Sequence, residues 1–354
     1  MHPVPRRAPR LIAMAASLIA VPLLSAVGAA GASARDFLIV VSNEYDGTLS
    51  LIDGTTRQVL STTEVGKRPR GIQPSSDGAM LFVALSGSPL APPGTDESAL
   101  PPADKAADGI GVFDLGNREL TRIIKGVSDP EQLAVGRDGA TLYVASEDTG
   151  RAIVLDVASG RVLASLPVGG EPEGVGIRPD GAIVYVTSEE DHRVTVIETA
   201  TQQVLQSFEV GERPRAIAFA PDGRRAYVTG ETDGTVTAVD AVEHTVIEAV
   251  TLPGEGQRPM GVVVSPDGES LYVATGRGGR VYALDAATLE VRGWLAVGER
   301  PWGIAISPDG HWLFTANGPS DDVSVIDAAR LAEVQRIPVG ERPWGVAVVP
   351  FGGP

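Results

Sequence analysis

Short apolar runs of four to six residues alternate along the chain with turns of Asp, Gly and Pro, and no stretch between them has helical periodicity. One cycle reads Gly303-Ile304-Ala305-Ile306, a Pro-Asp-Gly turn, Trp312-Leu313-Phe314-Thr315, a polar loop, Val323-Ser324-Val325-Ile326, a turn at Asp327, and a last run ending Ile337-Pro338-Val339-Gly340. Val and Ile dominate the runs, which predicts four short strands per cycle. The Asp-Gly turn recurs at Asp77, Asp138, Asp180, Asp222, Asp267 and Asp309, with spacings of 61, 42, 42, 45 and 42. The period is therefore 42; the longest spacing carries a 19-residue insert and the 45 carries three extra residues within Pro253-Gly254-Glu255-Gly256-Gln257. A four-stranded unit of about 40 residues cannot bury both of its faces alone and must stack on copies of itself, as the blades of a β-propeller do.

The two ends set the blade count. The chain closes on a first-strand motif, Arg342-Pro343-Trp344-Gly345-Val346-Ala347-Val348-Val349-Pro350, and opens its repeats on a second strand, Phe37-Leu38-Ile39-Val40-Val41. Joined, they make one blade beside six continuous ones. The expected fold is all-β, a seven-bladed β-propeller of four-stranded blades, its ring closed by a C-terminal strand that completes the N-terminal blade and removes a free sheet edge.

Tyr143-Val144-Ala145-Ser146, Tyr185-Val186-Thr187-Ser188 and Tyr227-Val228-Thr229-Gly230 follow the Asp-Gly turns by about five residues and resemble the YVTN family of propeller repeats, over essentially all of Phe37 to Pro350. The insert, from Ser86-Gly87-Ser88-Pro89 to Ala107-Asp108-Gly109, is similar to that of a seven-repeat subfamily found with transport operons and pyrroloquinoline-quinone-dependent alcohol catabolism. This resemblance implies a context rather than a chemistry and supplies no catalytic residues.

The first residues change the picture of where the protein works. Arg6, Arg7 and Arg10 precede an apolar stretch from Leu11 to Val27 and an Ala32-Ser33-Ala34 pattern, which reads as a signal peptide of residues 1–34 cleaved to leave a single propeller, 35–354, in the periplasm or otherwise exported. No later run is long and apolar enough to span a bilayer, so no membrane span is expected in the mature chain. The absence of cysteine excludes disulfides, thiolate metal sites and covalent haem attachment. With the three leader arginines removed from the formal charge of −16, about −19 remains, which disfavours nucleic acid as a partner. Only His192, His244 and His311 follow the leader, with no spacing suited to a metal, so neither metal nor cofactor is expected.

Strand order puts the loops before each first strand, and those between second and third strands, on one face. The Asp-Gly turns lie on the other and need no ligand, since tight turns favour these residues. Each first strand is preceded by an x-Pro-x element. The residue before Pro is Arg68, Asp129, Glu171, Arg213, Arg258, Arg300 or Arg342; the residue after it is Arg70, Glu131, Glu173, Arg215, Met260, Trp302 or Trp344. This ring reads as polarised. A basic arc with Met260, Trp302 and Trp344 inside it faces an acidic pole at Asp129 and Glu171, which continues into Glu147, Asp148, Glu189, Glu190, Asp191 and His192. The arc Arg68, Arg70, Arg213, Arg215, Arg258, Met260, Arg300, Trp302, Arg342 and Trp344 is the candidate ligand or partner site. The competing reading makes the arginines braces for carboxylates such as Glu212, Glu299 or Glu341, the tryptophans channel packing, and the acidic pole a solvated face. The Pro-rich insert, 89–108, projects from the same face, as a cap, a partner contact or a tolerated insertion.

No Ser-His-Asp set, metal cluster or isolated carboxylate pair can be read from spacing, so no catalytic residue is expected. The expected function is a non-catalytic periplasmic binding or scaffold protein, accessory to quinoprotein-dependent alcohol catabolism or an associated transporter. Its expected partners are a periplasmic dehydrogenase, a transporter component or a small anionic ligand. The alternatives are a propeller hydrolase of lactonase type and a carrier of a small anionic ligand. Binding of the quinone itself is not expected, because propellers that hold it resemble an eight-bladed arrangement with regular tryptophan docking elements.

Overall fold

The computed structural model describes residues 1–5, 37–90, 96 and 99–350; the expected cleavage site at Ala34 and all but the first five leader residues lie outside the described residues, as do 91–95 and 97–98 of the insert. Seven four-stranded antiparallel sheets follow one another around a ring. Blade 1 takes its inner strand from the far end of the chain: Pro343–Pro350 pairs with Phe37–Asn43, which is followed by Thr48–Asp53 and Val59–Glu64. Blades 2 to 7 are each continuous in sequence, with inner strands Pro69–Pro74, Pro130–Val135, Pro172–Ile177, Pro214–Phe219, Val262–Val264 and Pro301–Ile306. The second and third strands of each blade are almost wholly buried, while the outer strand is mostly exposed or half-buried. The core lies in the layers between neighbouring blades, such as the cluster of Tyr185, Val194 and Val196 with Ala226, Val228 and Val239.

The repeated residues have separate physical jobs. Thr187 Oγ1 accepts from Gly174 N–H in its own blade (2.7 Å) and donates to the Arg215 carbonyl of the next (3.3 Å). Thr229 makes the same bridge from Ala216 to Met260, and Ser42 makes it from Gly345 to Arg70. These bonds satisfy backbone groups that the ring would otherwise bury without partners. Tyr227 donates to the Ala286 carbonyl of the next blade at 2.5 Å, and Tyr185 meets His244 Nδ1 at 2.7 Å. Asn43 and Asn317, at the fourth position of the motif, donate to Ser50 and Ser324 on the adjoining third strands.

The x-Pro-x elements are followed by glycine in five blades, and packing explains it. A Cβ at Gly174 would lie 2.1 Å from the Arg215 carbonyl, and one at Gly71, Gly261, Gly303 or Gly345 would meet the next blade's backbone within 3 Å. Gly174→Ala is expected to cost about 1–3 kcal/mol through overpacking, read as a lowered melting temperature. Below these glycines a cavity of 190 Å³ is ringed by one apolar residue per blade, among them Ile72, Leu133, Ile217 and Ile304.

Candidate active site

Three residues per blade converge on the opposite end of the channel, and the backbone explains their placement. The residue before Pro adopts a left-handed conformation in six blades: Arg68, Asp129, Glu171, Arg213, Arg300 and Arg342 all have φ between 39° and 51°. This is a strained choice for such side chains. It turns their carbonyls toward the residue that follows the second strand. Glu44 N–H donates to the Arg342 carbonyl, Glu147 to Asp129, Glu189 to Glu171 and Glu231 to Arg213, at 2.9 to 3.1 Å. Each bond ties the two loops of a blade together and sets a glutamate at the rim.

The result is a cavity of 620 Å³ at the mouth of the channel. It is lined by eight of the ten arc residues read from the sequence: Arg68, Arg70, Arg213, Arg215, Arg300, Trp302, Arg342 and Trp344. Arg258 and Met260 do not line it. Their blade carries the extra residues near Gly254, Arg258 lacks the left-handed turn of the other six positions, and Met260 is buried, with its Cγ 2.8 Å from where a Cβ on Gly276 would stand.

The charges are arranged differently from the polarised ring that the sequence suggests. Arg70, 4% exposed, is ion-paired to Asp129 and Glu131, with Glu147 3.8 Å away. Arg215 is ion-paired to Glu189, to Glu173 at 3.1 Å and to Glu231 at 2.6 Å. Arg213 shares Glu189, and Arg68 holds Glu44 at 2.8 Å while donating to the Ser88 and Pro89 carbonyls. Four arginines of the arc are therefore braces, and their partners are not Glu212, Glu299 or Glu341. Glu189 is buried against two of them, which corrects its reading as part of a solvated acidic face. Glu190, Asp191 and His192 are exposed, and His192 Nδ1 accepts from the Arg213 N–H, a turn-holding role. Glu44 and Glu231 were not singled out by sequence reasoning; the signal for them was a glutamate directly after the second strand in four blades.

Once paired groups such as Arg68 and Glu44 are set aside, the remaining charge is uneven around the cavity. Asp129, Glu131, Glu147, Glu173, Glu189 and Glu231 come from blades 3 to 5, whereas Arg277, Arg300 and Arg342, from blades 6, 7 and 1, have no carboxylate within ion-pair distance among the described residues. Arg277 stands on a one-turn 3-10 segment, Gly276–Gly278, and Glu147 starts another, Glu147–Thr149. Burial pushes the Glu173 carboxyl well above the usual carboxylate range, against the pull of Arg215, with Glu189 and Glu147 adding to the rise. Burial raises Glu147 too; Arg70 opposes the rise, and Asp129 and Glu189 reinforce it. Asp129 moves down despite its burial, because Arg70 and the Ser86 and Ser88 hydroxyls favour its charged form.

Oxygens of Asp129, Glu131 and Glu147 lie within 4.8 Å of one another, a spacing that a metal ion could use. Here the Arg70 guanidinium contacts all three and supplies the positive charge instead. The Trp302 ring is flanked by Trp344 (5.5 Å between centroids), Arg300 (5.1 Å) and Arg215 (5.5 Å), so its faces are largely taken up by protein. Leu90 and Leu100 of the insert reach the cavity wall, and the insert's C-terminal end is held by Lys67–Asp104 at 2.7 Å and Lys105–Asp148 at 2.5 Å.

Residues 202–343 match the model of a family described as lactonase, seven-bladed beta-propeller, about two-fifths of the chain and the part that carries blades 5 to 7. No curated protein sequence matches. Among solved structures, a candidate 6-phosphogluconolactonase of Bacteroides fragilis is 19% identical, with a TM-score of 0.73 and coverage of 89% of this chain and 98% of that one. A second, of Bacteroides uniformis, is 19% identical with a TM-score of 0.72, covering 89% and 100%. The hydrazine synthase of Kuenenia stuttgartiensis is 22% identical, with a TM-score of 0.69 and coverage of 80% and 90%. At these identities the likeness to solved structures shows the fold. The lactonase match over residues 202–343 overturns the expectation of a non-catalytic scaffold without catalytic residues, and favours the hydrolase alternative. The physical reason is that most of the carboxylates of this cavity stand on separate loops of blades 3, 4 and 5, where a search for local spacing finds nothing.

Proposed function

We propose that the protein is a lactonase-type hydrolase, opening a cyclic ester in the channel-mouth cavity. The observation that carries the reading is Glu147. It is a cavity-lining carboxylate whose single ion-pair contact is 3.8 Å long, with 31% of its side chain still accessible and its proton affinity raised by burial. Such a group suits general-base work near neutral pH, where the other carboxylates of its wall are engaged more closely by arginines. Glu147 would take a proton from water as the water oxygen bonds to the ester carbonyl carbon. The ring C–O bond then breaks, the ring oxygen leaves as a hydroxyl by taking up a proton, and a carboxylate remains. The facing Arg277, Arg300 and Arg342 favour the negative charge that develops.

The test is proton release from a panel of lactones by the purified protein. Glu147→Gln is expected to lower kcat/KM by about 100-fold or more with the melting temperature unchanged. The base must be ionised to act, so wild-type activity should fall as pH drops through a midpoint above that of an ordinary glutamate, near 4.3. Absence of turnover across the panel, or a fully active Glu147→Gln, would refute the proposal.

A further inference from the structure

The cavity is divided by charge. Six carboxylates line one wall, Asp129, Glu131, Glu147, Glu173, Glu189 and Glu231, and the three guanidiniums that pair with them are Arg70, Arg213 and Arg215. That wall holds three more acidic groups than basic ones. The other wall has the reverse imbalance, with Arg277, Arg300 and Arg342 facing the same space without acidic partners among the described residues. Exposed surface charges are neutralised by water and salt, but charges around a concave cavity are screened less. A ligand with one sign of charge would satisfy one wall and leave the other uncompensated.

We infer that the ligand is itself charge-separated: it carries an ammonium group that docks on the Glu173 side of the cavity and a carboxyl-derived group that docks on Arg300 and Arg342. For the reaction proposed above, this makes the substrate class an amino-substituted lactone, whose opened product is an amino acid. The inference rests on the hydrolase reading only for the ester; the binding half stands on the charge pattern alone. Burial raises the carboxyls of Glu147 and Glu173, and an ammonium docked beside them would favour their ionised forms. Amino-acid binding should therefore strengthen as pH rises, which an uncharged or purely anionic ligand would not show.

The experiment is calorimetric titration of the full chain with ω-amino acids of increasing length, each beside the alkanoate that lacks the amine, at about pH 5 and about pH 8. At one or more lengths the amino acid is expected to bind at least about tenfold more tightly than its alkanoate at the higher pH, with a smaller advantage at the lower. Glu173→Gln, checked for an unchanged melting curve, should remove that advantage and leave alkanoate binding as it was. Alkanoates that bind as tightly as the amino acids at every length, no binding by either series, or an amino-acid advantage that does not grow with pH would overturn the inference. Amino-acid binding with no lactone turnover would sink the hydrolase reading and leave this one standing.

Discussion

A chain ended at Gly340 is expected to be insoluble or unfolded. The deletion removes the strand Pro343–Pro350, whose register runs from Phe37 opposite Pro350 to Asn43 opposite Pro343. It takes with it Ala347 and Val349 from one inter-blade cluster, Val346 and Val348 from the next, and the buried Trp344. At about 1.5–3 kcal/mol for each large side chain, the lost burial approaches the whole net stability of an ordinary domain, roughly 5–15 kcal/mol. What remains is worse than a gap. The strand Phe37–Asn43, FLIVVSN, is buried at every position, and without its partner it presents an apolar edge to other chains. Soluble yield and a thermal melt decide the matter; a truncated chain that melted like the full one would refute closure as the source of stability.

The second large effect is expected at Arg215. Its guanidinium faces Glu173, Glu189 and Glu231, and only 11% of its side chain is accessible. Arg215→Ala leaves Glu173 and Glu231 without an ion-pair partner and Glu189 with Arg213 alone, and an uncompensated buried charge costs about 3–5 kcal/mol. Arg342→Ala, by contrast, removes a cation that pairs with no carboxylate and should change stability within about 0.5 kcal/mol. The loss at Arg215 should depend on pH in a definite direction. A carboxyl whose folded-state pKa lies above its unfolded value, as burial makes Glu173, contributes stability fully below the unfolded value and loses it as pH rises through the folded one. Removing Arg215 takes away the pull that opposes the rise of Glu173 and the one that holds Glu231 down, so denaturant midpoints of the variant should recover toward wild type as pH falls from 8 toward 5. Equal destabilisation at both ends of that range would show that lost packing, not charge, is responsible.

The fold was legible because each of its signals is local. The Asp-Gly turn, the four apolar runs and the first-strand motif at the chain's end each lie within a few residues, and the period of 42 then counts the blades. The site was legible in position and misleading in chemistry. Sequence order correctly put Arg70, Arg215, Trp302 and Trp344 at one mouth, because equivalent positions in a repeat must share a face. It could not show that Arg70 reaches across to blade 3 for Asp129 and Glu131, nor that Arg215 gathers three glutamates from two blades. Pairing across blades depends on side-chain reach, which no spacing encodes. Arg258 failed for a related reason: three extra residues upstream changed the turn that places its counterparts, a change visible in the sequence as length but not as direction.

The shared first blade also has a consequence in time. Phe37–Asn43 is synthesised well before its partner Pro343–Pro350, with about 300 residues between them. At roughly 5–20 residues per second, the early strand waits on the order of 15–60 s with its apolar edge unpaired. Blades 2 to 7, continuous in sequence, can form their hairpins as they emerge, but the ring cannot close until the final strand arrives. Its rate of maturation is thus governed by the longest-range contact in the molecule, and the interval before closure is when a binder of unpaired strands would have most to hold.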